Sequence, residues 1–282
     1  MTVSTSAIQP TAHEGEVDVL VVGGGPAGAT AAHDLARQGL TVLLLDRAGR
    51  VKPCGGAVPP RLMRDFDIPE SLLVARAQCA RMVSPADVRV DIPIHDGHVG
   101  MVDREVFDEW LRARAAAAGA RRRNGSFTGL SRDAGPGVLV HYTVDEAQDG
   151  SAAATPVPRQ VRARMVIGAD GARSRVARAA LPEQAPASSV FAYHEILQVP
   201  QADSGLRPAS YAAHRCDVVY RGSISPDFYG WVFPHGDTVS VGTGSADKGF
   251  SLRSATAELR RASGLAGWTT LRREGAPLPM KP

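Results

Sequence analysis

Lysine is almost missing from this chain: of its 32 basic residues only Lys52, Lys248 and Lys281 are lysine, and the rest are arginine. Beside so much alanine, that skew reads as coding bias rather than function. The formal net charge of +3 singles out no partner and gives no reason to expect nucleic acid. The triplet Arg121-Arg122-Arg123 reads as a solvated face rather than a patch for phosphate or an anionic membrane. Cysteine is scarce too. Cys54, Cys79 and Cys216 are widely spaced, odd in number and free of any CxxC, which excludes a disulfide framework and a zinc site and fits a reducing, cytoplasmic setting. No lysine or arginine precedes Arg37, so no secretory signal is expected. The strongest apolar runs, Val19–Val22 and Val42–Leu45, are far too short to cross a bilayer. No metal-ligand spacing, Ser-His-Asp series, Walker lysine or internal repeat is present, and no metal is expected.

What is there is ordinary globular material: 282 residues, 44% hydrophobic and 22% charged, enough for one large domain or two smaller ones. Residues 1–15 are small and polar and predict a disordered tail. Val17–Val22 then predicts a strand, Ala29–Gln38 a helix closed by Gly39, and Thr41–Leu45 a second strand. The continuity of these apolar strands implies a parallel sheet. Further along, Pro69–Ala77 predicts a short helix, Val88–Ile94 a strand and Arg104–Ala118 a helix. Strands are expected at Val138–Val144 and Gln160–Ile167, joined by a hairpin tip over Gln148–Pro158. Beyond Pro186 come strands at Val190–Val199, Val218–Ser223, Gly230–Pro234 and Thr238–Thr243, then a helix at Ser254–Ser263.

The chemistry begins at Gly23-x-Gly25-x-x-Gly28, directly after a strand and opening a helix. The first glycine permits the tight turn, the second lets backbone approach a pyrophosphate, and the third lets helix and strand pack closely. The helix start then faces the phosphates with free N–H groups and the positive end of its dipole. Asp46 closes the second strand, near the roughly 20-residue distance at which a ribose-binding carboxylate is expected. A glycine-rich turn with a surface aspartate is the bland alternative, and the full strand–loop–helix context argues against it. The glycines alone do not separate FAD from NAD.

Met165–Ser174, with Gly168-Ala169-Asp170-Gly171 at its centre, resembles the Asp-Gly motif of the FAD-dependent hydroxylase and reductase superfamily. That resemblance implies a Rossmann-like FAD-binding domain over 16–75 and 100–185. It also implies a second, mainly antiparallel substrate domain over 76–99 and 186–282. It puts Asp170 and Gly171 near the flavin, although Asp170 taken alone could be a turn residue. Arg104 opens a helix, as does an arginine that contacts FAD in this superfamily; a helix-surface charge is its other reading. Pro26, Ala27 and Arg47 complete the cofactor set.

Lys52-Pro53-Cys54-Gly55-Gly56-Ala57-Val58-Pro59-Pro60, with Phe66-Asp67-Ile68-Pro69 after it, resembles the geranylgeranyl reductases of chlorophyll and bacteriochlorophyll synthesis. Tyr229-Gly230-Trp231-Val232-Phe233-Pro234 matches a stretch lining that family's substrate cavity. Tyr229, Trp231 and Phe233 alternate and so share one face, giving a rigid wall suited to an isoprenoid or ordinary core packing. The resemblance brings Gly55 and Gly56 to the cofactor. It leaves Cys54 open between steering substrate, assisting protonation and being a small buried thiol. It implies reduction of geranylgeranyl double bonds to the phytyl chain, with FAD recharged by NADPH and hydride passed from the flavin N5. The substrate would be geranylgeranyl diphosphate or a geranylgeranylated (bacterio)chlorophyll, which suggests a peripheral place on the photosynthetic membrane. A flavin monooxygenase of the same fold and an inactive pigment- or isoprenoid-binding remnant are the alternatives. Family members continue into a third flavin motif, a Gly-Asp stretch opening a helix. Gly236-Asp237 sits between two strands instead, so the chain is expected to be C-terminally truncated.

Overall fold

The apolar runs around Val19–Val22 and Val42–Leu45 lie side by side as parallel strands in the computed structural model, which describes residues 12–47, 52–146, 155–185 and 187–280. In chain order the elements begin β1 (Ala12–Val22), α1 (Pro26–Arg37), β2 (Val42–Asp46), β3 (Ala57–Val58) and α2 (Pro60–Asp65). Next come β4 (Leu73–Ala77), β5 (Cys79–Val83), β6 (Arg89–Pro93), β7 (Val99–Val102) and α3 (Arg104–Ala117). They continue with β8 (Arg121–Asn124), β9 (Ser126–Ser131), β10 (Val138–Glu146), β11 (Thr155–Gly168) and α4 (Arg175–Ala180). The last are β12 (Ser189–Gln198), β13 (Arg215–Val219), β14 (Gly230–His235), β15 (Thr238–Ser245), α5 (Leu252–Ala262) and β16 (Thr270–Pro279).

Two compact units result: Met1–Arg50 with Asp108–Ala185, and Val51–Phe107 with Pro186–Pro282. The first holds a six-stranded sheet in the order β8-β2-β1-β11-β10-β9. The β8, β2, β1 and β11 strands run parallel, and β10 and β9 add an antiparallel edge. One face buries Leu20, Val22, Leu43, Leu45, Val140, Tyr142 and Val161. The other face meets α1, whose Gly28, Ala29, Ala32 and Ala36 are small enough to bring the helix close. The arginine triplet forms the exposed edge strand β8, where charge discourages pairing with another chain.

The second unit carries a seven-stranded sheet, β16-β12-β15-β14-β13-β5-β6, antiparallel except where β13 meets β5, and a three-stranded sheet β3-β7-β4. One face of the large sheet buries Leu197, Val232, Val239 and Val241 against Leu259 of α5. Ser251 caps α5, accepting the backbone N–H of Ser254.

Several expectations change. Residues 12–15, expected in a disordered tail, belong to β1, because the long β11 offers them a parallel partner at Ala12↔Arg159 and His13↔Gln160; residues 1–11 lie outside the described residues. The helix expected over Pro69–Ala77 is a single 3-10 turn, Glu70–Leu72, followed by β4. Pairing of Leu73 with Val102 and Ala77 with Val99 overrides a weak helical preference. The strand β11 begins earlier than expected: Thr155–Pro158, expected in the hairpin tip, pair with β10 through Val157↔Val144, and 147–154 lie outside the described residues. Residues 52–75 and 100–107 group with the second unit, because Met101, Ala75 and Val99 of the small sheet pack with Cys216 and Phe233 of the large one.

Candidate functional site

In the first unit the loop Gly23–Gly28 is sewn to both neighbouring strands. The N–H of Gly23 donates to the Leu45 carbonyl at 2.8 Å, and the N–H of Ala169 donates to the Val22 carbonyl at 2.8 Å. Gly23 has φ +107°, and a Cβ there would run into the Ala169 backbone. At Gly28 a Cβ would strike the Gly23 carbonyl. Gly25 differs: nothing lies within 4 Å of where its Cβ would point, and it N-caps α1 without a side-chain acceptor. Pro26 and Ala27 form the first turn, Pro26 giving up an N–H that would have been unpaired anyway. Open space beside Gly25 and a helix start without a side-chain cap fit a dinucleotide pyrophosphate.

Asp46 ends β2 half-buried, with Arg47 exposed after it. Arg112 of α3, which no spacing rule connects to the glycines, reaches Oδ2 of Asp46 at 3.4 Å and the Gly24 carbonyl at 3.1 Å. Gly24 is itself constrained, since a Cβ there would sit 2.7 Å from Oδ2 of Asp46 and 2.9 Å from Cδ of Arg112. Asp170 is a turn residue with a capping duty. Its Oδ2 accepts the Arg175 N–H at 2.6 Å and its Oδ1 the Ser174 hydroxyl at 2.5 Å, fastening the start of α4. Gly171 follows with φ +87°.

In the second unit, Lys52, Cys54 and Arg104 line a cavity of about 390 Å³ with Asp103, Ile196, His235, Thr238, Arg272 and Glu274. Cys54 is exposed, which removes the buried-thiol reading; its sulfur accepts the Gly56 N–H at 3.4 Å. Gly55 lies against the Phe233 ring, and Gly56, with φ +66°, leaves no room for a Cβ between His235 and the Val102 carbonyl. Burial pushes the His235 imidazole below its ordinary value, against a hydrogen bond from its Nδ1 to the Phe233 carbonyl. Asp103 starts α3, accepting the Glu105 N–H at 2.8 Å, and so sets Arg104 at the helix head.

Ile196, His235, Thr238, Arg272 and Glu274 of the large sheet line this cavity, and register gives the row that runs from Glu274 along the same face. Val90, Met82, Val218, Trp231, Gly242, His194 and Glu274 are paired in turn across all seven strands. Directly paired residues point to the same face. The row is apolar from β6 to β14 and polar from β12 to β16. Tyr229, Trp231 and Phe233 do share that face, with ring centroids 6.2 and 6.3 Å apart, and Phe228 stacks on Tyr229 at 4.1 Å. Gly242 and Gly244 leave the space that the Trp231 and Phe228 rings fill. At the polar end, Nε2 of the buried His194 lies 2.9 Å from Glu274, whose other oxygen accepts from Arg272 at 2.8 Å. A carboxylate only accepts, so Nε2 carries the proton and Nδ1 accepts from Ser240 at 2.8 Å. Ser240 in turn accepts the Trp231 indole N–H at 3.0 Å. His194, Ser240 and Glu274 were not legible as a group, since only strand register unites them.

A family model described as an FAD binding domain matches residues 16–207. The chain belongs to the FAD-binding domain family. The chain is 53% identical to a geranylgeranyl diphosphate reductase of Rhodobacter capsulatus, over 94% of this chain and 64% of that protein. It is 35% identical to the chloroplastic geranylgeranyl diphosphate reductase of Nicotiana tabacum, over 99% of this chain and 60% of that one. The chain therefore spans less than two thirds of the length of these relatives. A crystal structure of a geranylgeranyl bacteriochlorophyll reductase-like protein from Thermoplasma acidophilum superposes with a TM-score of 0.79 at 25% identity, covering 96% of this chain and 68% of that one. The FAD-binding fold and the resemblance to geranylgeranyl reductases are thus borne out. Among the described residues no helix is long and apolar enough to cross a membrane.

Proposed function

We propose that the chain is the FAD-cradling and substrate-seating portion of a reductase that saturates carbon–carbon double bonds of a geranylgeranyl group, giving the phytyl chain of chlorophyll or bacteriochlorophyll. The observation that carries this is the row across the second unit's sheet, apolar and aromatic at one end and hydrogen-bonded and charged at the other. Such a row suits an isoprenoid chain with a polar head, either geranylgeranyl diphosphate or a geranylgeranylated pigment. FAD, held at Gly23–Gly28 and Asp46, supplies hydride-transfer chemistry when bound, and NADPH is the reductant we assign to it. Trp231, fixed by Ser240, and Phe233, seated against Gly55, give a rigid apolar wall that excludes water from the reacting bond. Cys54, at the cavity surface, contacts the substrate. A lipophilic substrate also suggests a peripheral position on the photosynthetic membrane, which fractionation of cells checks.

The test is the visible spectrum of the purified chain with FAD, then with NADPH under anaerobic conditions, then mass spectrometry of the product. Retained flavin, bleaching, and stepwise gains of two hydrogens on a geranylgeranyl substrate are expected. Substrate-dependent oxygen consumption would instead mark a monooxygenase. A colourless chain that still binds a prenylated pigment would mark a binding remnant.

A further inference from the structure

Arg112 binds the two parts of the first unit's cradle to each other. Its Nη1 donates to the Gly24 carbonyl at 3.1 Å and to Oδ2 of Asp46 at 3.4 Å. Its Nε donates to Oε2 of Glu109 at 3.0 Å. Glu109 then accepts both terminal nitrogens of Arg122 on β8, at 2.8 and 2.9 Å. The guanidinium is thus fixed from behind while its front edge holds one loop carbonyl and one carboxylate oxygen. Only a fifth of the Arg112 side chain is open to solvent, which limits screening.

A carboxylate at a strand end rotates about two bonds, and a planar guanidinium removes that freedom before any ligand arrives. Oδ2 is taken by Arg112, which leaves Oδ1, among the described residues, to a ligand hydroxyl. We propose that Arg112 is a positioning residue of the FAD site: it fixes the Asp46 carboxylate to receive the ribose hydroxyls and holds Gly24 in register with it. The proposal rests on the reading that this chain binds FAD. Its gain is preorganisation, with the ordering of Asp46 completed on folding rather than on binding.

The test measures the affinity of the purified chain for FAD, and separately for ADP, which carries the same ribose and pyrophosphate without the flavin. Arg112→Ala is expected to weaken both by about tenfold, the scale of one charge-assisted hydrogen bond. In an Asp46→Asn background the same change should cost less than about threefold, because the carboxylate it orients is gone. An equal loss in both backgrounds would mean a merely structural arginine and would overturn the proposal, as would wild-type affinity in Arg112→Ala. Should Arg112→Ala fail to fold, Arg112→Lys retains charge and bulk but not the fork; wild-type ADP affinity in that variant would also overturn it. A parent chain that binds ADP but not FAD sinks the flavoprotein reading while the Arg112 comparison proceeds on ADP. A parent chain that binds neither sinks both.

Discussion

The first unit builds its candidate site from backbone, and the second builds its candidate site from side chains. In the cradle, the decisive atoms are N–H groups, carbonyls and the space left by glycines, and the core cluster of that unit is built from apolar side chains and Tyr142, with Asp108 buried elsewhere in the unit. In the second unit, His194, Glu195, Ser240 and Thr243 are buried in the sheet itself; the first three each have a partner from another strand or helix, and Thr243 donates to the Ile224 carbonyl in the loop before β14. A backbone site depends on a few positions remaining glycine. A side-chain site depends on polar groups that are costly to bury and therefore tied together.

The sharpest way to break this comparison is at Glu195. Its carboxylate accepts from Arg260 at 2.6 Å, Tyr193 at 3.0 Å and Arg273 at 3.1 Å. Burial alone would raise this carboxyl; the three hydrogen bonds outweigh it and hold the group below the usual range. Arg260→Met leaves the carboxylate buried and short of its main partner, and should cost about 3–5 kcal/mol in urea unfolding. In the first unit, Asp133→Asn removes the solvent-facing partner of Arg162 and should change stability at the limit of detection. Comparable losses from the two variants would erase the distinction between the units.

Glycines in the cradle should separate stability from binding. Gly23→Ala forces a side chain into positive φ and against Ala169, costing about 2–3 kcal/mol together with FAD binding. Gly25→Ala meets open space and an extended backbone, so unfolding should shift by less than about 1 kcal/mol while the methyl obstructs the pyrophosphate. FAD titration of a well-folded Gly25→Ala that binds normally would remove Gly25 from the site.

A smaller effect concerns acid. Burial lowers the His194 imidazole against the pull of Glu274, and His235 shifts the same way. In the unfolded chain a histidine takes up its proton near pH 6.5, before the buried rings do, so below that point the unfolded state binds more protons. The stability gained by keeping these rings neutral is complete above about pH 6.5 and is lost as pH falls toward their folded values. His194→Gln should make this decline shallower, read from denaturation curves at a series of pH values. An unchanged slope would mean that His194 titrates freely.

The same division explains what the sequence disclosed. Gly23, Gly25, Gly28 and Asp46 are legible because a backbone site fixes the spacing of its residues along the chain. Arg112 is not, because the contact depends on how α3 packs rather than on any interval. In the second unit, Tyr229, Trp231 and Phe233 show their common face by alternation. Their extension to Val90 on one side and Glu274 on the other is set by register across strands from four separate stretches of chain. Alternating Gly242 and Gly244 in β15 were the one local hint, since glycine inside a strand marks close approach of a neighbour. Asp170 is the reverse case: its motif is legible along the chain, whereas the hydrogen bonds by which its carboxylate holds the start of α4 come only with the folded turn.

The finest test asks whether the second unit's site is open above and sealed below. Cys54 stands exposed at the cavity, whereas Cys216 lies under the small sheet with Met101 and Ala77. Burial, with lesser contributions from Asp217 and Cys79, pushes the Cys216 thiol up to about 12. Only the thiolate attacks an alkylating agent, so at about pH 8 Cys216 has roughly a thousandfold less reactive form than an ordinary cysteine. Iodoacetamide should therefore label Cys54 first, the half-buried Cys79 more slowly and Cys216 only after denaturation, as resolved by peptide mass spectrometry. Labelling of Cys54 and Cys216 at equal rates would mean that the small sheet lifts readily from the large one. The wall behind Phe233 would then be mobile, and the rigid apolar seat proposed for the isoprenoid would not hold.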